Sequence, residues 1–111
     1  VPRKKTVTVH VQAKLVWEVH IHPQTRQYMG ICRMLNLNAV GDSWGDFQQA
    51  ANEAMQLLLE DLFEEGDLQR FLHRNGWRLA TPLPNRGDAR PCFDVPYETD
   101  FKRDPEELLV S

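Results

Sequence analysis

The residues of this chain with the most obvious capacity for chemistry are its four histidines. His20 and His22 are two positions apart, so on a strand both project to one side, and His10 has the same parity. Imidazoles on one strand face can begin a metal site, and a metal-dependent hydrolase or nuclease using His10, His20 and His22 is one function the sequence allows. Such a centre needs a further ligand and supporting hydrogen bonds, and nuclease chemistry needs clustered carboxylates nearby. Glu18 is the acid that shares the face of His20 and His22. Polar residues at period two are also what a one-sided sheet presents to water, and the histidines read first as that.

Other catalytic patterns fare worse. Nucleophilic catalysis is not expected, and Cys32 has no identifiable histidine partner in sequence. Cys32 and Cys92 fall in separate predicted strands and read as buried, reduced thiols. Gly41-Asp42-Ser43-Trp44-Gly45 places two glycines at a helix start, where anions can bind. It lacks a phosphate-loop lysine, and Asp42 and Asp46 would repel a phosphate, so it reads as a turn and cap. No cofactor is expected.

The charge map says more. Between Met34 and Gln69 there is no Lys or Arg, but the span holds Asp42, Asp46, Glu53, Glu60, Asp61, Glu64, Glu65 and Asp67. The acids at the end of the predicted helix oppose its dipole, which prefers cations there. They form either a solvated acidic face or a docking surface for a basic partner, with Glu53, Glu60, Asp61, Glu64 and Glu65 as its candidate residues. Arg70, Arg74, Arg78, Arg86 and Arg90 follow. They can neutralise the acidic helix within the fold, or contact phosphates. With a net charge of −3, direct nucleic-acid binding is not expected.

These side chains need a scaffold, and 111 residues suffice for one domain. A hydrophobic share of 41% beside 26% charged residues is that of an ordinary soluble protein. No apolar run reaches the length of a membrane span, and no signal peptide is visible, so a cytoplasmic location is expected. From Thr6 to Ile21 the odd positions are apolar and the even ones mostly polar, the pattern of a half-buried strand. The stretch is too long for one strand, and a break near Gln12-Ala13 should divide it. A turn at His22–Gln27 leads to a return strand at Tyr28–Arg33, then a third strand at Leu35–Val40.

The main helix should start at Ser43 as N-cap, with Asp46 at the third helical position, and stop at Gly66. Phe47, Ala50, Ala51, Ala54, Met55, Leu58 and Leu62 share its core face. Met55, Leu59 and Phe63 make a further stripe beside that face, and Leu57 lies off its other edge. The arc is wider than one sheet needs, which predicts burial by a second helix or by another subunit. Met55, Leu59 and Phe63 are therefore candidate self-association residues in a homo-oligomer. Asp67 should cap a short helix at Leu68–Arg74, followed by a short strand from Trp77 to Thr81 and a loop to Asp88. Cys92–Tyr97 reads as an edge strand marked by Pro96, and Asp104-Pro105-Glu106-Glu107 as a helix start. The expected class is α+β: a small antiparallel sheet with one main amphipathic helix and a short helix packed on one face. The expected division is a domain at residues 1–81 and a C-terminal extension at 82–111 packed on it.

The strand order, Tyr28 opening the second strand, Gly41-Asp42-Ser43 at the helix start, and Ala51, Ala54 and Leu58 along the helix form a pattern with Leu35, Phe71-Leu72 and Asn75-Gly76-Trp77. Over about residues 14–81 this pattern resembles the HicB-like antitoxin family. Leu35-Asn36-Leu37 stands where that family often has Leu-Pro-Gly, and Gly45-Asp46-Phe47 where it usually has Glu-Glu-Ala. The resemblance implies a small three-stranded sheet with a helix, like a reduced ribonuclease-H core without catalytic carboxylates. It implies a non-enzymatic role, binding and occluding a small basic HicA-like ribonuclease toxin. The segment after Thr81 is too short and Pro-rich for the DNA-binding module that many members carry.

Overall fold

The computed structural model describes residues 5–102. The chain is α+β, as its pattern predicts, but it builds two small mixed sheets in place of one antiparallel sheet. Its contacts divide it into two compact units, one formed by residues 5–14 with Met55–Pro96, the other by Leu15–Ala54 with residues 97–102. This is not the division expected at Thr81: the residues after it supply a strand to each unit.

In the unit of Leu15–Ala54, β2 (Val16–Ile21), β3 (Tyr28–Cys32) and β4 (Leu37–Gly41) form an antiparallel meander. A strand absent from the sequence reading, β7 (Glu98–Phe101), joins β2 in parallel and completes the order β4-β3-β2-β7. The third strand begins at Leu37 rather than Leu35. Asn36 closes a turn with φ 55°, a left-handed conformation that asparagine tolerates and a strand cannot contain.

Helix α1 (Trp44–Glu65) opens in this unit. Ser43 Oγ accepts the Asp46 amide at 3.1 Å, the capping bond its position predicts. Phe47 is fully buried, 5.9 Å from the Trp17 ring in an edge-on contact and stacked on Trp44 at 5.4 Å. Trp44 also meets Tyr28 and Phe101. Phe47 and Trp17 are the buried centre of this unit, with Val19, Cys32 and Ala39 beside them from the sheet, while Phe101, 55% exposed, lies at the rim of the aromatic cluster. Burial pushes the Cys32 thiol up, while backbone hydrogen bonds with Leu35 and Met34 act in the opposite sense. Cys92 is exposed, which corrects the reading of both thiols as buried; both are free.

The other unit contains β1 (Lys5–Gln12), β5 (Arg78–Leu79) and β6 (Ala89–Asp94), in the order β5-β1-β6. The β1–β5 pair is antiparallel and the β1–β6 pair parallel. The break expected within the first apolar stretch falls between Gln12 and Val16, and its alternation survives: Val9, Val11, Leu15, Trp17 and Val19 are all buried. The last half of α1 contributes Met55, Leu59 and Phe63 to the core of this unit. They are 2%, 1% and 6% exposed, so the reading of these three as self-association residues is corrected. A residue every four along a helix drifts by about 40° per step. The buried series Phe47, Ala51, Met55, Leu59, Phe63 follows that drift, and the chain itself buries the stripe.

Helix α1 ends in a Schellman motif: the Gly66 amide donates to Phe63 O and the Asp67 amide to Leu62 O, with Gly66 at φ 80°. Helix α2 (Leu68–Asn75) ends in the same way, through Gly76 and Trp77 onto His73 O and Leu72 O. Asp67 stands at its N-cap, but its side chain makes no capping bond. The strand expected at Cys92–Tyr97 lies earlier, at Ala89–Asp94, and holds Pro91 rather than Pro96. The helix start expected at Asp104 lies outside the described residues.

Gln56 explains how β6 tolerates Pro91. Its Nε2 donates to Pro91 O at 3.1 Å, and its Oε1 accepts the Phe93 amide at 2.7 Å. One side-chain amide thus satisfies the strand edge turned away from β1, the side on which Pro91 has no N–H to offer. Gln56→Ala leaves a part-buried amide unpaired and should destabilise the protein by about 1–3 kcal/mol in urea unfolding. A loss within ~0.5 kcal/mol, typical of an unremarkable surface change, would show that water replaces the amide at no cost.

Candidate functional site

The candidate site is the outward face of the second half of α1. Met55, Leu59 and Phe63 point into the core, so at 100° per residue Leu57 falls on the opposite side of the helix. It is 62% exposed. Glu60 and Asp61 lie three and four residues beyond it and Glu64 seven, which puts all three beside it on the helix surface. A leucine at the centre of an acidic face gains nothing for the fold. Sequence reasoning treated it as the fringe of an apolar arc; its position directly opposite the buried series was the available signal.

The five candidate acids are not equivalent. Glu60 is half-buried and committed within the unit, where its carboxylate accepts Arg90 Nε at 3.2 Å and Gln56 Nε2 at 3.2 Å. Glu53 is exposed in the other unit and accepts Gln49 Nε2 one turn earlier. Asp61, Glu64 and Glu65 are exposed, and among the described residues their carboxylates form no ion pair. The exposed part of this candidate face is therefore Leu57 with Asp61 and Glu64, with Glu65 at the helix end and Glu60 held at its border.

The arginines explain why so acidic a helix end is tolerated. Arg86 Nη1 donates to Glu64 O at 3.0 Å, putting a cation where the dipole wants one. Arg90 holds Glu60, and Arg70 approaches Asp67 at 3.8 Å. Three of the five arginines thus serve the acidic segment of the chain. Arg86 also lines an open groove of about 290 Å³ with Phe63, Leu68, Leu83 and Pro84, just past the helix terminus.

His10 Nδ1 lies 2.9 Å from Asp94 Oδ2 across the β1–β6 pair, and His10 belongs to a different unit from His20 and His22. His22 Nδ1 accepts the amides of Gln24 and Thr25 at 3.2 Å and shapes the turn after β2. His20 is half-buried opposite Met29. Among the described residues no three His, Cys, Asp or Glu side chains are grouped as metal ligands would be, so the strand histidines are not assembled into a centre. Glu18 is taken by Arg33. No helix of the described residues is long and apolar enough to cross a membrane.

No family model, no curated protein and no solved structure matches this chain.

Proposed function

We propose that this protein is a non-enzymatic, cytoplasmic binding module of the HicB-like antitoxin kind, which sequesters a small basic ribonuclease toxin on the outward face of α1. The observation that carries the reading is Leu57, exposed at 62% among acids that the fold does not neutralise. An apolar anchor within a charged rim is how a compact interface concentrates its binding energy, and uniform acidity selects a cationic partner and speeds encounter. The antiparallel β2-β3-β4 meander followed by a capped amphipathic helix agrees with the HicB-like resemblance.

The test is co-purification with the product of the neighbouring gene. A small basic protein should bind, its affinity should fall as salt rises, and Leu57→Asp should weaken binding roughly 30-fold or more, as loss of an interface anchor does. The melting temperature of Leu57→Asp should stay close to that of the parent, because the side chain is outside the core. A neighbour that is neither small nor basic, or that does not bind, would sink the antitoxin reading. Binding that ignores Leu57→Asp would move the interface off this helix.

A further inference from the structure

The two sheets have four outer strands: β5 and β6 in one, β4 and β7 in the other. An open strand edge is a row of unpaired amides and carbonyls that invites another strand, and proteins ordinarily guard it with charge, proline, shortness or a cover. Three of these edges are guarded. Strand β5 is only two residues long and contains Arg78. Strand β6 contains Pro91 and is covered by the Gln56 amide. Strand β7 carries Glu98 and Asp100 at alternate positions.

Strand β4 has none of these devices. Its sequence, Leu37-Asn38-Ala39-Val40-Gly41, contains no charge and no proline, and β3 is its one partner among the described residues. Val40 is 49% exposed, and Met34, in the turn before the strand, is 54% exposed. A strand edge with no second neighbour among the described residues offers a row of backbone amides and carbonyls, which specifies the occupant as a β-strand. The absence of charge removes the repulsion that normally keeps two identical edges apart.

We infer that β4 is a self-association edge, along which a second copy of this chain pairs antiparallel about a two-fold axis at Ala39. Only an antiparallel register pairing residues of equal parity keeps the buried faces of both sheets on the same side. Centring on Ala39 sets Leu37 opposite Gly41 and Asn38 opposite Val40, and it uses the whole strand. Centring one residue earlier recruits Asn36, whose φ of 55° is not that of a strand. Centring one residue later sets Asp42, already bonded to Gln27, opposite Asn38. Such a pairing is isologous and closes at two copies. It also puts self-association on a sheet edge of one unit, whereas the helix face proposed for a partner belongs to the other.

The register makes the inference testable by charge. Asn38 and Val40 are exposed, so lysines at both positions leave the core intact. In the dimer, N38K/V40K sets Lys against Lys on both sides of the axis, whereas N38K/V40E sets Lys against Glu. Light scattering on the full chain should give the mass of two chains for the parent, one for N38K/V40K and two again for N38K/V40E. Circular dichroism should be alike for all three, and N38K/V40K should melt at the same or a lower temperature than the two proteins that pair, since association stabilises the folded chain. A single-chain mass for the parent, a two-chain mass for N38K/V40K or a single-chain mass for N38K/V40E would each overturn the inference. A strand edge used by a different protein would give the first of these results, and a dimer seated elsewhere the second.

Discussion

Gly41→Ala should lower the stability of this protein by about 3 kcal/mol or more, at or beyond the upper end of ordinary overpacking costs. Gly41 is the last residue of β4 and is buried. A methyl group there would sit 2.7 Å from Asp46 C and 2.7 Å from Phe47 Cα, well inside contact distance. Both obstacles are backbone atoms in the first turn of α1, so no rotamer change relieves the overlap. Either the helix start moves off the strand end or β4 detaches from β3. The first loses the Ser43 cap and withdraws Phe47 from Trp17; the second breaks the Tyr28–Gly41 pairing. Since a domain of this size has only about 5–15 kcal/mol in total, the melting temperature should drop by more than about 12 °C. A fall of less than ~4 °C, worth under about 1 kcal/mol, would mean that the strand-to-helix junction yields easily.

That junction was legible in the sequence only in part. Ser43 announced the helix start and Gly66 its end, because a hydroxyl cap and a left-handed glycine act through their nearest neighbours along the chain. The closeness of β4 to the helix, which requires a glycine at position 41, is a tertiary fact with no local signature. The same division explains the remaining outcomes. Alternation from Thr6 to Ile21 reports which side chains are buried, and it held across the break at Ala13–Leu15. Alternation is silent about which strand lies alongside, so the two sheets and the parallel β1–β6 and β2–β7 pairs were not readable. Strand β7 was missed because Glu98–Phe101 is largely exposed and is held mainly by its backbone.

The candidate site shows the same limit from the other direction. A helical wheel with a fixed axis puts Phe47, Ala51 and Met55 on one face and sets Met55, Leu59 and Phe63 in a stripe beside it, for a second helix or another subunit to bury. The buried face follows the drift of a four-residue spacing, so all five are buried within the chain. Once that series is seen as the inner face, Leu57 becomes the anomaly and the acids divide into those the fold uses and those it leaves outward. The division depends on which arginine meets which carboxylate. Residues thirty apart, such as Glu60 and Arg90, carry no sequence mark of their pairing.

The second large effect is an exchange of sign. Gly30→Ala should destabilise the parent protein by about 1–3 kcal/mol, the usual penalty for forcing a methyl into a filled core. Its added carbon would meet Phe47 Cε2 and Cζ, each at 2.5 Å, while the next neighbour, Glu18 O, is at an ordinary 3.4 Å. The obstruction is thus the far end of one ring and nothing else. That ring cannot swing away freely, because it is stacked on Trp44 and set edge-on to Trp17. Phe47→Leu removes Cε2 and Cζ outright. Alone it should cost roughly 1–3 kcal/mol, less than the 3–5 typical of truncating a buried phenylalanine to alanine. In that background Gly30→Ala should cost nothing or restore up to about 1 kcal/mol, since the methyl then fills the vacated space and alanine is less costly than glycine to hold in a strand. The double-mutant cycle, read by urea unfolding of the four proteins, should therefore show a coupling of about 1–3 kcal/mol between positions 30 and 47. Additive effects would mean that the sheet, not the ring, absorbs the added methyl. The contact between Gly30 and Phe47 would then not be what sets the distance between α1 and β3.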